Sequence, residues 1–303
     1  MNLIGMKYIT VRGFQHNGKN PPNRRKSMAQ LILQRLVSPG RLGIALFILP
    51  FLVATVSVQG VNAQSEVEKG LEIAQKARNA DRGFENFIAE MVMILRNKQG
   101  QENKRSLRIK VMEVSGDGNM SLFVFDNPRD VKGTALLIHG HLDKSDDQWL
   151  YLPALKRVKR ISSSNRSGSF VGSEFAYEDL GSLEVEKYTY KWLRDEKCGD
   201  LDCTVTEYKP SEKGSGYTRM LLWHDKDELR VWKIEYYDRK NAHLKTLVHE
   251  DYEQYLDQYW RSKRSNMVNH ITGKSTEILW DQIQFRTDLN EGEFTKTGLR
   301  RVR

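Results

Sequence analysis

His139 and His141 stand one residue apart, the spacing that places two ligands on one face of a strand, with Asp143, Asp146 and Asp147 close behind. A zinc site needs at least three protein ligands, and this pattern fixes no third. Two histidines flanking a hairpin turn account for it. Asp146 and Asp147 could pair for acid–base work, but neighbouring strand residues point to opposite faces, so they read as a turn leading into the strand of Trp149. The run Leu136-Leu137-Ile138-His139-Gly140-His141 has the strand and His-Gly turn of a hydrolase oxyanion hole. Such chemistry also needs a nucleophile in Gly-x-Ser-x-Gly. The nearest match, Gly168 to Gly172, puts Ser169 one position early. Cys198 and Cys203 bracket the four residues Gly199-Asp200-Leu201-Asp202. Redox catalysis favours Cys-x-x-Cys at a helix start, so in an exported protein a disulfide closing a hairpin is expected. The reading is therefore non-enzymatic, with no cofactor and no metal.

The elements around these residues are mostly short strands. Residues 66–79 (EVEKGLEIAQKARN) carry Val67, Leu71 and Ala74 at helical spacing and predict an amphipathic helix. Residues 84–94 (FENFIAEMVMI) form a second, mainly apolar segment and suit either a helix or a first strand. Leu107, Ile109 and Val111 then alternate with Arg108, Lys110 and Met112, which is strand periodicity. Further β-rich runs are expected at 121–125, 134–138, 148–152, 188–193, 204–208, 218–224, 229–237, 244–251, 265–271 and 276–285. Turn residues separate them, as in Asp238-Arg239-Lys240-Asn241. This spacing predicts antiparallel all-β structure, as a barrel or a strongly curved sheet. Residues 156–169, basic and rich in Ser and Gly, read as a loop.

The chain of 303 residues carries 48 Lys and Arg against 39 Asp and Glu, a net charge of +9. Residues 1–63 hold eight of the basic residues and no acidic one, leaving 40 against 39 beyond them. Nucleic-acid binding, which needs a basic surplus in the folded part, is excluded on that balance. The same 63 residues read as an N-terminal extension with an export signal. Arg35 and Arg41 precede the apolar stretch 42–58, and Val61-Asn62-Ala63 fits cleavage after Ala63. A retained anchor is the alternative, and either Met1 or Met28 serves as a start. The mature domain is expected at 64–303, in the periplasm.

Three segments are distinctive together: FDNPRDVKGT (125–134), DDQWLYLPALKRVKRI (146–161) and GSFVGSEFAYEDL (168–180). With Trp280-Asp281-Gln282-Ile283, Phe294-Thr295 and Leu299, they resemble the outer membrane lipoprotein-sorting proteins of the LolA-like superfamily, over about residues 70–302. The resemblance implies a mainly β fold: a curved antiparallel sheet forming a half-open barrel, with helices covering its concave face. It implies a periplasmic carrier holding lipid or lipoprotein acyl chains, or other hydrophobic cargo, in an apolar cavity. It also implies a partner, an inner-membrane transporter of the resistance–nodulation–division (RND) type. A periplasmic envelope sensor or interaction protein on the same fold is the alternative.

A cavity for acyl chains needs inward apolar side chains and few convergent polar groups. The alternating strands offer Leu107, Ile109, Val111, Leu122, Val124 and Leu137 as ligand-binding candidates, with Trp149 and Tyr151 from one face of the following strand. The same residues could instead fill a solid core. The basic run Lys156, Arg157, Lys159, Arg160 and Arg166 suits either anionic headgroups or a solvated loop.

Overall fold

The computed structural model describes residues 64–302, so the export signal, the Ala63 cleavage position and the choice of start all lie outside the described residues. Helix α1 (Glu66–Ala80) opens with a capping box. The Ser65 hydroxyl accepts from the Glu68 N–H at 3.1 Å, and the Glu68 carboxylate accepts from the Ser65 N–H at 3.0 Å. Two orphan donors of the first turn are thereby satisfied.

Thirteen strands follow. On one side of the sheet lie β1 (Asn86–Arg96), β2 (Glu102–Met112), β3 (Met120–Asn127), β4 (Ala135–His139), β5 (Asp147–Leu152) and β6 (Arg157–Ile161). On the other lie β7 (Tyr188–Cys198), β8 (Leu201–Pro210), β9 (Tyr217–Asp225), β10 (Val231–Asp238), β11 (His243–Tyr255), β12 (Tyr259–Asn269) and β13 (Ser275–Phe285). The ambiguous apolar segment is thus a strand, β1. All the pairings are antiparallel, in the order β6-β5-β4-β3-β2-β1-β13-β12-β11-β10-β9-β8-β7. The first strand, β1, lies mid-sheet; the strands meander from it to the β6 edge, cross to the β7 edge through residues 162–187, and meander back until β13 pairs with β1. The edges β6 and β7 do not pair, so the sheet is not closed into a barrel.

The stretch read as a loop from 156 holds a strand in its first half. Arg157–Ile161 pairs with β5, Trp149 lying opposite Arg160. Its charges hid it from an apolar-alternation reading, yet Lys and Arg are what edge strands carry to block further pairing.

The sheet buries both faces unequally. Its concave face gathers Leu107, Ile109 and Val111 with Phe123, Phe125, Met267, Ile278 and their neighbours into the main core. The opposite face of β3–β5 is capped by the C-terminal tail, where α2 (Lys296–Leu299) and the turn before it insert Phe294 and Leu299 over Leu122, Val124 and Leu137. Being covered on both sides, the run Leu122–Phe125 of β3 is buried residue by residue. The concave face is covered jointly: α1 lies against β7 at one end, and the crossover 162–187, built of short 3-10 turns, spans the rest. Gly70 permits the first contact. A Cβ there would sit 2.7 Å from the Trp192 backbone nitrogen, so only glycine lets the helix approach β7 this closely.

Candidate functional site

Between the concave face and the crossover lies a cavity of about 460 Å³. Its floor is the sheet: Met91, Ile109, Val111, Phe123, Ile234 and Leu247 all contribute. One end is aromatic. Phe84 lies 5.6 Å from Phe87, with Phe285 at 6.1 Å and Tyr259 at 6.2 Å, centroid to centroid. Such tilted and edge-on pairs add about 0.5–1.5 kcal/mol each beyond their burial.

The crossover forms the roof, and its apolar side chains anchor it. Phe170 packs at 5.9 Å from Phe123 and 5.5 Å from Phe125. Polar ties then fix each turn. Asp179 accepts from Lys245 Nζ at 2.6 Å and from the Tyr217 hydroxyl at 2.7 Å. Glu184 takes a two-pronged bond from Arg78 of α1, at 2.9 and 3.0 Å. Arg166 pairs with Glu212, Lys187 with Asp146, and Arg105 donates to the Val171 carbonyl. Buried pairs of this sort contribute little net stability while intact, but removing one partner strands the other, at about 3–5 kcal/mol. They fix where the roof sits.

Burial also sets protonation here. Glu178, held by the Gly216 N–H and the Ser215 hydroxyl at 2.9 Å each, has its pKa pushed up by desolvation. His249 on β11 is held neutral, down at about 4, by burial alone, while its Nδ1 meets Ser265 Oγ at 2.9 Å. The result is a mostly apolar chamber whose polar groups are largely satisfied within the protein.

The structure sorts the eight candidate lining residues by register. Ile109 and Val111 line the cavity, and Leu107 shares their face in the core beside it. Leu122, Val124, Leu137, Trp149 and Tyr151 are a correction: they point to the opposite face, toward the C-terminal tail. Residues directly opposite one another in an antiparallel pair share a face. Ile109 pairs with Phe123, Lys110 with Leu122, Leu122 with Leu137, and Leu137 with Trp149. The apolar residues of β3–β5 that oppose the wet face of β2 therefore leave the cavity to Ser121 and Phe123. Sequence reasoning missed Phe84, Phe87, Met91 and Phe123 on the wall. Parity carried from Ile109 across the β2–β3 turn would have found Phe123.

The other candidates have structural roles. His141 Nδ1 meets Asp117 at 2.8 Å, and His139 Nε2 meets the Phe294 carbonyl at 2.7 Å, beneath the tail. Among the described residues no group of three His, Cys, Asp or Glu is placed to hold a metal. Ser169 donates to the Ser173 carbonyl within the crossover. Cys198 and Cys203 are bonded and clamp the end of the β7–β8 hairpin. The basic run divides: Lys156, Arg157, Lys159 and Arg160 are exposed along β6, whereas Arg166 is buried in the roof.

The arrangement has close counterparts. An outer membrane lipoprotein-sorting protein domain from Vibrio parahaemolyticus shares 54% identity with this chain over 77% of its length and 99% of its own, at a TM-score of 0.76. The chain belongs to the outer membrane lipoprotein-sorting protein family. A DUF1329 family protein from Desulfovibrio piger aligns at 29% identity, covering 78% of this chain and 99% of its own, with a TM-score of 0.73. A LolA superfamily protein from Nitrosomonas europaea shares the fold at 22% identity and a TM-score of 0.62, over 76% and 98% of the two chains. A family model described as an uncharacterized protein matches residues 117–301. No curated protein matches. The lipoprotein-sorting relationship covers the described domain, and the LolA-like fold follows from it.

Proposed function

We propose that this protein is a periplasmic carrier that shields the acyl chains of a lipid or lipoprotein in the cavity beneath the crossover, without chemical conversion of its cargo. The observation that carries the reading is the chamber itself. At about 460 Å³ it lies within the range of roughly 300–1,000 Å³ typical of ligand sites, and its floor is apolar sheet. Each methylene moved into it from water contributes about 0.8 kcal/mol. The lipoprotein-sorting name of the 54%-identical Vibrio domain supports the same class of cargo. Periplasmic residence and work beside an RND-type inner-membrane transporter complete the proposal; they rest on the export-signal reading of residues 1–63 and on the family resemblance.

Two measurements test it. Mass spectrometry of protein purified from the periplasm should find co-purified acyl lipids. A fluorescent fatty acid should bind the wild type and lose at least about tenfold in affinity with Ile109→Glu, the charge now opposing entry of the chain. Ile109 is 4% exposed and packs in the main core as well as on the cavity wall, so the charge also costs stability, and the affinities are compared at a temperature where circular dichroism shows the variant folded. A wild type that binds no fatty acid and carries no lipid would end the carrier reading.

A further inference from the structure

A second cavity, of about 320 Å³, lies beside the first. Asp81, Ser182, Leu183 and Arg261 belong to the walls of both, so the two spaces meet at the Arg261–Asp81 ion pair and the tip of the roof. Their linings differ in kind. The large chamber has the apolar floor. The smaller one is walled by Arg78, Arg230, Arg261, His224, Tyr252 and Trp260, and its two carboxylates are engaged from within, Asp81 by Arg261 and Glu228 by the Trp260 Nε1–H at 3.1 Å.

The donor inventory distinguishes the two spaces by degree: in the large chamber the Arg166 Nε is a buried donor without a partner among the described residues, and the small cavity gathers more donors without one. In the large chamber the carboxylates are occupied from within. Asp146 takes Lys187 and the His141 N–H, Asp179 takes Lys245 and Tyr217, Glu178 takes Ser215 and Gly216, and Glu212 takes Arg166 and Ser145. In the small one each guanidinium is held by one edge and keeps another. Arg78 grips Glu184 through Nε and Nη2, which leaves Nη1. Arg230 meets Asp225 through Nε at 2.8 Å, which leaves both Nη groups. Arg261 reaches Asp81 at 2.6 Å and the Trp260 carbonyl at 2.8 Å through Nη1, which leaves Nε and Nη2. Among the described residues these remaining nitrogens have no protein acceptor. The carboxylates behind them fix the forks in place, so little rotamer entropy is lost when a ligand arrives.

Aromatic rings orient the same groups. The Arg230 guanidinium lies 4.5 Å from the Trp260 ring centroid and 5.6 Å from that of Tyr252. Arg261 lies 5.2 Å from Phe285 and 5.4 Å from Phe84, in the aromatic end of the large chamber. Arg261 therefore stands where apolar floor changes to donor-rich wall. His224, stacked 6.1 Å from Tyr208, is kept neutral by burial, at about 4, and adds no charge of its own.

We propose that the smaller cavity is a headgroup site for an anionic amphiphile, its phosphate or carboxylate held by the free edges of Arg78, Arg230 and Arg261 while its acyl chain runs past Leu183 into the large chamber. Planar forks of this kind match the paired oxygens of both groups. The inference rests on the carrier reading and narrows it from acyl cargo in general to cargo with an acidic headgroup next to the chain.

Calorimetric titration of the exported protein with four probes of one chain length tests this: dodecyl phosphate, dodecanoate, monolauroylglycerol and dodecyltrimethylammonium, each below its micelle concentration. The two anions should bind about tenfold or more tightly than the uncharged and cationic probes. If phosphate exceeds carboxylate, the headgroup is a phosphate; the reverse order assigns a free acid. Arg261→Gln, whose Asp81 partner is half exposed, should bring the anions down to the level of monolauroylglycerol and leave that probe unchanged. Equal binding of all four probes by the wild type overturns the headgroup site while the carrier reading stands, and needs no variant to fold. An unchanged preference in Arg261→Gln also overturns it. Failure of every probe to bind removes the carrier reading beneath it.

Discussion

His224 shows how much one buried ring can decide. It is 1% exposed, and burial holds it neutral, with its pKa down at about 4 from the ordinary 6.5. Between those values the unfolded chain binds a proton that the folded chain refuses. Stability is therefore complete above about pH 6.5 and falls as the pH drops toward 4, by about 3 kcal/mol for this ring. His249 acts in the same direction. Urea melts at pH 7 and pH 5 should show the loss, and His224→Phe should flatten it; an unaltered slope in that variant would assign the acid sensitivity elsewhere. Glu178 works against the trend, since its raised pKa favours the folded state's uptake of a proton. The position of Ile109 on the chamber wall belongs to the same scale. A two-residue alternation identified its strand face, but which strand residues would share that face depended on the partner across the turn.

At the scale of elements, the contact of α1 with β7 is the most demanding. Alanine at Gly70 would gain about 1 kcal/mol of helix propensity. Its Cβ would lie within 3 Å of backbone atoms of Lys191 and Trp192, which cannot rotate away. Overpacking of this kind costs about 1–3 kcal/mol, so Gly70→Ala should lower the melting temperature rather than raise it. A more stable variant would mean the helix slides freely on the strand. The β7–β8 hairpin is clamped by Cys198–Cys203. Its loop is short, so the entropic contribution is at most about 2–3 kcal/mol. Thiol counting on denatured, unreduced protein should find no free thiol, and reduction should lower stability by no more than that amount. Helix α1 forms where expected, but of Val67, Leu71 and Ala74 only Ala74 is buried, beside Gly70, while Val67 and Leu71 are exposed. Most strands were legible because their apolar residues keep the period of the element. Strand β6 was not, because an edge strand in this fold carries Arg157, Lys159 and Arg160 where an inner strand would carry apolar residues.

For the whole molecule, the C-terminal tail is as necessary as the roof. Phe294 and Leu299 are 1% and 0% exposed, and they cover Leu122, Val124, Leu137 and Trp149 on the outer face of the sheet. Burying two such side chains contributes about 1.5–3 kcal/mol each. A chain ending at residue 288 should therefore lose roughly 3–6 kcal/mol and expose an apolar patch. Light scattering and thermal melts should show early unfolding with aggregation; a truncated form as stable and monodisperse as the full chain would contradict this account of the tail.

The sequence by itself determined what is local or periodic. That comprises the first described helix, the antiparallel meander, the hairpin cysteines and, through three distinctive segments, the lipoprotein-sorting family. The tertiary structure alone decided which apolar residues face the cavity, that residues 162–187 roof it, and that Arg78, Arg230 and Arg261 from three distant segments converge beside it. The physical reason is the range of the forces. Helical and strand periods are fixed by backbone geometry within a few residues, so they can be read along the chain. A face is shared, and a guanidinium finds its carboxylate, only after strands far apart in sequence have paired: Arg78 and Glu184 are 106 residues apart, and Arg261 and Asp81 are 180. One residue of register moves Leu122 or Phe123 from one side of the sheet to the other, and that register is set by the partner strand rather than by the residues themselves.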